Sequence, residues 1–190
     1  MKFGLAGMRT IMDGLGHPEL ACPTVHIAGT NGKGSVTAIV HAGLRHAGWR
    51  AARYTSPHLL SLAERFVVGD HPLERSALER SLDRVRQVID AGLAEDRLAA
   101  HPTFFEVATA VAFDAFREAG AEAAVIEVGL GGSLDATNVV RPVATAITSI
   151  AFDHEAHLGR TLAAIAAEKA GTLKAGVPAV IGAMPAEALS

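Results

Sequence analysis

The stretch "VHIAGTNGKGSV", residues 25–36, limits what this chain can fold into more than any other. Residues 25–28, apolar except for His26 and with β-branched Val25 and Ile27, read as a buried strand. Beyond Ser35, "VTAIVHAGLRHAG" has the spacing of a helix, so Gly29, Gly32 and Gly34 fall in a strand-to-helix turn. Glycine there allows positive φ and a close approach of backbone to a ligand. The free N–H groups and dipole of a helix N-terminus favour an anion, typically phosphate. Lys33 adds a positive charge, and Ser35 a hydroxyl able to reach a metal ion. The order strand, glycines, lysine, hydroxyl, helix is that of a phosphate-binding loop. It departs from G-x-x-x-x-G-K-[ST] at two places: Gly34 follows Lys33, and Ile27 stands five before Gly32. The bland alternative is a glycine-rich turn carrying a surface lysine.

The rest of the chain alternates strand and helix patterns, which predicts an α/β fold with a mostly parallel sheet and flanking helices. "RAARYT", "AEAAVIEVGLGG", "VATAITSI" and "VPAVIG" read as strands, and "ERFVVGDHPLE" as a short hairpin turning at "GD". "RSALERSLDRVRQVIDAGL", "PTFFEVATAVAFDAFREAG" and "TLAAIAAEKAGTLKAG" read as helices, the last ending at Gly171. "MPAEALS" resembles the start of a further helix. There is no internal repeat, low-complexity segment or linker.

Composition narrows the function classes. With 190 residues, 49% hydrophobic, the chain can build one substantial core. A net charge of -3 gives no footprint for nucleic acid. Cys22 is the sole cysteine, so no intramolecular disulfide forms, as suits a reducing compartment. "MKFGLAGMRTIMDGLG" is too broken by charge and glycine for a signal peptide, and no apolar run would span a bilayer. A cytoplasmic monomer without membrane or nucleic-acid partners is expected.

Open α/β sheets bind ligands outside the carboxyl ends of their strands. The glycine loop, "YTSPHL", "IEVGLGG" and "SIAFDH" all fall there, so Ser56, Glu127, Asp153 and His154 can converge. Magnesium takes oxygen ligands and is held by few protein groups plus phosphates, so Glu127 is a natural ligand. His154 is a less orthodox one, and alone reads as a polar loop histidine among nine histidines. Lys169 alone reads as a cation at a helix C-terminus. Phe104 and Phe105 suit stacking on a flat heterocycle or packing at a helix entry; two neighbours cannot both face the core.

"HIAGTNGKGSV", "YTSPHLLSLAERFVV", "TFFEVATAVAF", "EVGLGGSLDATN", "FDHEAHLG" and "AAEKAG" together resemble, in this order, folylpolyglutamate synthase and the bifunctional dihydrofolate synthase of the Mur ligase superfamily. The resemblance implies a phosphate-loop, Mur-ligase-type central domain, present in part, with residues 1–190 as an N-terminal ATP-binding domain and a C-terminal glutamate-ligase domain lying outside the chain. It implies that Gly29, Thr30, Asn31, Gly32, Lys33, Gly34 and Ser35 hold ATP, with Lys33 on the transferred phosphoryl group. Ser56 and Glu127 are similar to ligands of one Mg2+ (Mn2+ being an alternative), and Glu127 and His154 to those of a second. Lys169 matches a lysine the family carries as a carbamate, an anionic oxygen donor beside a metal. Lys33, Glu127, His154 and Lys169 would thus serve catalysis. Thr103, Phe104, Phe105, Glu106, Leu134 and Asp135, with Lys2 and Phe3, correspond to positions around the pteroate or folate. Ser133 departs from the family, where many relatives carry arginine.

The implied reaction is ATP-dependent amide formation between a dihydropteroate or folate carboxylate and L-glutamate. Two alternatives stay open on sequence: a Mur-type amino-acid ligase acting on a cell-wall nucleotide precursor, and an inactive nucleotide-binding fragment.

Overall fold

The structure is a computed structural model and describes residues 4–154 and 158–189. After helix α1 (Ala6–Gly14), strand β1 (Thr24–Ala28) runs through the glycine loop into α2 (Lys33–His46). Strand β2 (Ala51–Tyr54) leads to the hairpin β3 (Phe66–Val68) and β4 (His71–Pro72), then to helices α3 (Arg75–Ala94) and α4 (Phe104–Glu118). The chain continues through β5 (Ala123–Glu127), β6 (Ala144–Ile147), α5 (Leu162–Ala170) and β7 (Ala179–Ile181). Among the described residues no helix is long and apolar enough to cross a membrane.

The sheet runs β4-β3-β2-β5-β1-β6-β7, parallel from β2 to β7, with β3 antiparallel to both β2 and β4. From β1 the chain crosses through α2 to β2 on one side, whereas β6 lies on the other. The glycine loop therefore leaves the sheet at a point where strand order reverses, the position at which such sheets open a crevice for ligands.

Strand residues alternate between two faces. Ala52, Tyr54, Ala124 and Ile126 join Met8, Ile11, Val85 and Phe113 in the larger core, beneath α1, α3 and α4. Each large side chain fully buried there contributes roughly 1.5–3 kcal/mol. The opposite face carries Glu127 and is covered by α2, where Gly34 stands over the Glu127 carboxylate. A smaller core joins Ala28, Val128, Ile147 and Ile165 under α5.

Two elements differ from the sequence reading. The N-terminal stretch, read there only as no signal peptide, forms α1: Met8, Ile11, Met12 and Leu15 recur at helical spacing and are buried together. Gly14 lets this helix lie against α3, because a Cβ there would strike Val88. Helix α4, read from sequence as a helix, is buried along every position from 108 to 116 and so is enclosed on all sides there. Near the C-terminal end, "MPAEALS" holds a short 3-10 turn (Ala186–Ala188) rather than the first turn of an α-helix.

Candidate active site

Two glycines shape the loop after β1. Gly29 has φ 141° and Gly32, the N-cap of α2, has φ 81°, both in the region open to glycine. The loop is pinned to the segment following β6. Thr30 N–H donates to the Ser149 carbonyl at 2.8 Å, and the Thr30 hydroxyl accepts from Ala151 N–H at 3.1 Å. The Thr148 and Ser149 hydroxyls donate to the Asn31 carbonyl at 2.7 and 3.1 Å. Sequence reasoning did not single out Thr148 and Ser149. Their signal was two adjacent hydroxyls at the carboxyl end of a strand on the same rim.

Lys33 opens α2 and folds back over the loop, its Nζ donating to the Gly29 and Thr30 carbonyls, each at 3.1 Å. Gly34 occupies the position that departs from the common motif; a Cβ there would stand in ordinary contact, 3.8 Å from Glu127 Oε1. Ser35 is exposed in the first turn of α2.

Glu127 closes β5 and is buried, with Oε2 accepting the Ser56 backbone N–H at 2.9 Å. Burial pushes its carboxyl above the ordinary carboxylate range, opposed by that hydrogen bond and by the charges of Lys33 and Arg53. Lys169, in the last turn of α5, is 4% exposed and donates to the Gly29 carbonyl at 3.0 Å. Burial, and then the charge of Lys33, lower its amine to about 8, against the pull of Asp153, Asp135 and Glu168.

The structure thus brings Ser56, Glu127, Lys33 and Lys169 to one rim around Gly29. His154 has φ 47°, and its Nε2 stands 3.7 Å from Asp153 Oδ1, with the side chain more than half exposed. No hydrogen bond joins it to Glu127 or Lys169. Among the described residues no group of three or more His, Cys, Asp or Glu side chains is placed to hold a metal.

Beside this rim lies a cavity of about 600 Å3, lined by Thr103, Phe104, Phe105 and Glu106, by Leu134 and Asp135, and by Ser56 and Arg65. Thr103 and Glu106 form the capping box of α4: the Thr103 hydroxyl accepts from Glu106 N–H at 3.2 Å, and Glu106 Oε2 accepts from Thr103 N–H at 2.7 Å. The two phenylalanines part company. Phe105 turns inward, 6.2 Å from the Tyr54 ring centroid and against Gly129, where a Cβ would meet its ring. Phe104 is 60% exposed, with the Arg65 guanidinium 5.4 Å over its ring. Asp135 is buried, and Leu134 is exposed. Ser133 is held to α5, its hydroxyl and N–H both donating to the Glu168 carbonyl. Lys2 and Phe3 lie outside the described residues.

A central parallel strand, a glycine turn onto a helix N-terminus, a lysine over that turn and a buried acid on the next strand define an α/β domain of the phosphate-loop class. No family model matches the chain. It is 40% identical over its full 190 residues to the dihydrofolate synthase/folylpolyglutamate synthase of Bacillus subtilis, of which it covers 44%. The solved apo form of L. casei FPGS superposes with a TM-score of 0.94 at 35% identity, over 100% of this chain and 46% of that one. E. coli FolC, solved in complex with DHPP and ADP, gives 0.87 at 34% identity, over 95% of this chain and 42% of that one. The chain is homologous over its whole length to the folylpolyglutamate and dihydrofolate synthases and shares their Mur-ligase-type fold. It spans about half the length of the relatives it matches.

Proposed function

We propose that this chain is the ATP-binding portion of a ligase that joins the carboxylate of dihydropteroate or folate to L-glutamate. The observation that carries the reading is the meeting of Lys33, Lys169 and Glu127 at the glycine loop, with a substrate-sized cavity opening at Ser56 beside them. The kinship with synthases solved with ADP, AMPPCP, folate or DHPP supports it.

The chemistry follows from charge. A substrate carboxylate oxygen attacks the γ-phosphorus of ATP, the bond to the bridging oxygen breaks, and ADP leaves an acyl phosphate behind. The amine of glutamate then attacks the acyl carbon, phosphate departs, and the amine proton is lost to solvent. The first step brings two anions together. The N–H groups at the start of α2 fix the phosphates, while Lys33 exchanges its two carbonyl acceptors for phosphoryl oxygens. Glu127 and the Ser56 hydroxyl offer hard oxygen donors that suit Mg2+ or Mn2+. An ion held by these donors would supply positive charge against the phosphates. Lys169, carbamylated, and His154 are the proposed further donors; carbamylation needs the neutral amine that burial of Lys169 favours.

ADP release by the protein carrying this chain tests the reading. Release should require both dihydropteroate or folate and L-glutamate. Release with UDP-linked cell-wall precursors instead would overturn it.

A further inference from the structure

We propose that His26 is a positioning residue for the cavity: through the Thr137 hydroxyl it holds the Asp135 carboxylate as an oriented hydrogen-bond acceptor. The inference rests on the cavity being the pocket for the pteroate or folate substrate. His26 lies in β1, three residues before Gly29, and is fully buried. Its Nε2 is 2.9 Å from the hydroxyl of Thr137, itself fully buried in the turn that follows Asp135. That hydroxyl bonds to Asp135 Oδ1, which also accepts the Thr137 backbone N–H at 3.0 Å. Leu130 N–H donates to Asp135 Oδ2 at 2.9 Å. Asp135 is 6% exposed and lines the cavity.

Counting protons fixes the direction of this chain. The Thr137 hydroxyl has one proton to give. If it gives it to Asp135, it accepts from His26 Nε2–H, and the Nδ1 lone pair stays bare. If it gives it to His26, the imidazole proton sits on Nδ1, which is buried with no partner. Asp135 would then need a proton of its own, although two backbone N–H groups already point at its oxygens. An orphaned buried donor together with a protonated acid facing donors is the costlier arrangement. The first order therefore holds, with His26 as a neutral Nε2–H donor. Burial, aided by the charge of Lys174, lowers the imidazole to about 3, in keeping with a neutral ring. Among the described residues no salt bridge reaches Asp135: burial raises its carboxyl, the hydrogen bonds from Thr137 and Leu130 oppose that and set its acceptor geometry, and the Lys169 ammonium acts on it only through space.

Two readouts without ligand and one with it test the proposal. Nitrogen-15 NMR of the chain should show the Nε2–H tautomer of His26, and the carbon-13 shift of Asp135 should be that of a carboxylate at pH 7. A His26 Nδ1–H tautomer or a protonated Asp135 would overturn it. By calorimetry, Thr137→Val and His26→Leu should each bind dihydropteroate about tenfold more weakly, the scale of one hydrogen bond to a charged group. Thr137→Ser and His26→Gln, which keep the donor, should stay within about threefold. Wild-type affinity in folded Thr137→Val and His26→Leu would overturn the inference. Failure of the wild type to bind dihydropteroate would overturn the cavity reading instead, with the two spectroscopic readouts still deciding the hydrogen-bond order.

Discussion

Lys33 and Lys169, 136 positions apart in the chain, donate to the same backbone carbonyl, that of Gly29, at 3.1 and 3.0 Å. Two ammonium groups on one acceptor repel each other, and the repulsion is least screened where burial is deepest. Lys33 is half-buried and Lys169 is 4% exposed, so the cost falls on Lys169.

That cost appears as a pH dependence of stability. The Lys169 amine is lowered in the folded chain from its ordinary 10.5 to about 8, by burial first and Lys33 second. Below pH 8 it is charged in both states, and the folded chain bears the full penalty. Between about 8 and 10.5 the unfolded chain binds the extra proton, so stability rises with pH, by up to roughly 1.4 kcal/mol per unit. Urea unfolding of the wild type and of Lys169→Met across this window checks it. The difference between them should shift in favour of the wild type as pH rises, and a constant difference would remove the coupling.

Lys33→Ala should leave the chain folded and lower nucleotide affinity, while relieving Lys169 of its charged neighbour. Its amine should then titrate at higher pH than in the wild type. Carbon-13 or nitrogen-15 NMR of the labelled lysine reads this directly. In the ligase, the same substitution should abolish ATP-dependent turnover, and turnover at the wild-type rate would take Lys33 out of the mechanism.

Gly29→Ala should loosen the phosphate loop. At φ 141° a side chain is strained by about 1–3 kcal/mol, and a Cβ there would run into the Thr148 hydroxyl and stand 3.0 Å from its backbone nitrogen. Trimming Thr148 to alanine relieves only part of this, because the backbone contact and the φ remain. Calorimetry should show nucleotide affinity reduced at least tenfold in Gly29→Ala and still reduced in the Thr148→Ala double variant. Full recovery in the double variant would show that the hydroxyl alone makes glycine necessary.

How far the site could be read from sequence depended on how local each signal was. The glycine loop is legible because strand, turn and helix start lie within a dozen residues, and the parallel strands because their apolar runs are short and bounded by turns. That Glu127, Ser56 and Lys169 meet at Gly29 follows from strand order, which no local pattern states; the rim rule brought their segments together without giving contacts. Thr148, Ser149, His26 and Thr137 escaped because their partners are more than a hundred residues away. Helix α1 escaped because two glycines within its nine residues mask an otherwise regular apolar spacing.

Thr103 and Glu106 illustrate a signal read for its chemistry when it also serves local structure. T-x-x-E before an apolar run is the sequence form of a capping box, and both side chains are engaged at the start of α4. Thr103→Ala should lower stability by about 1 kcal/mol in urea unfolding, and Thr103→Ser should retain most of it. An unchanged midpoint in Thr103→Ala would mean that the first turn of α4 is held by its packing alone.

Asp114 sits at the centre of the enclosed helix α4 with no exposure, yet carries a charge. Arg84 of α3 donates to its Oδ2 at 2.6 Å and Arg117 to its Oδ1 at 2.7 Å, and Arg117 also donates to the Leu15 carbonyl just past α1. The carboxylate thus ties three helices above the sheet. Asp114→Ala would leave both guanidinium groups without their buried acceptor. Because each is about one-third exposed, water takes up part of the loss, which places the expected destabilisation near 3 kcal/mol, at the lower end for a broken buried pair. Asp114→Leu with Arg84→Met should recover much of that loss, since an apolar pair of similar volume avoids the desolvation of the charges. Urea unfolding of the single and double variants decides it: a double variant no more stable than Asp114→Ala would mean that the charge network, rather than the volume it fills, holds α3 and α4 together.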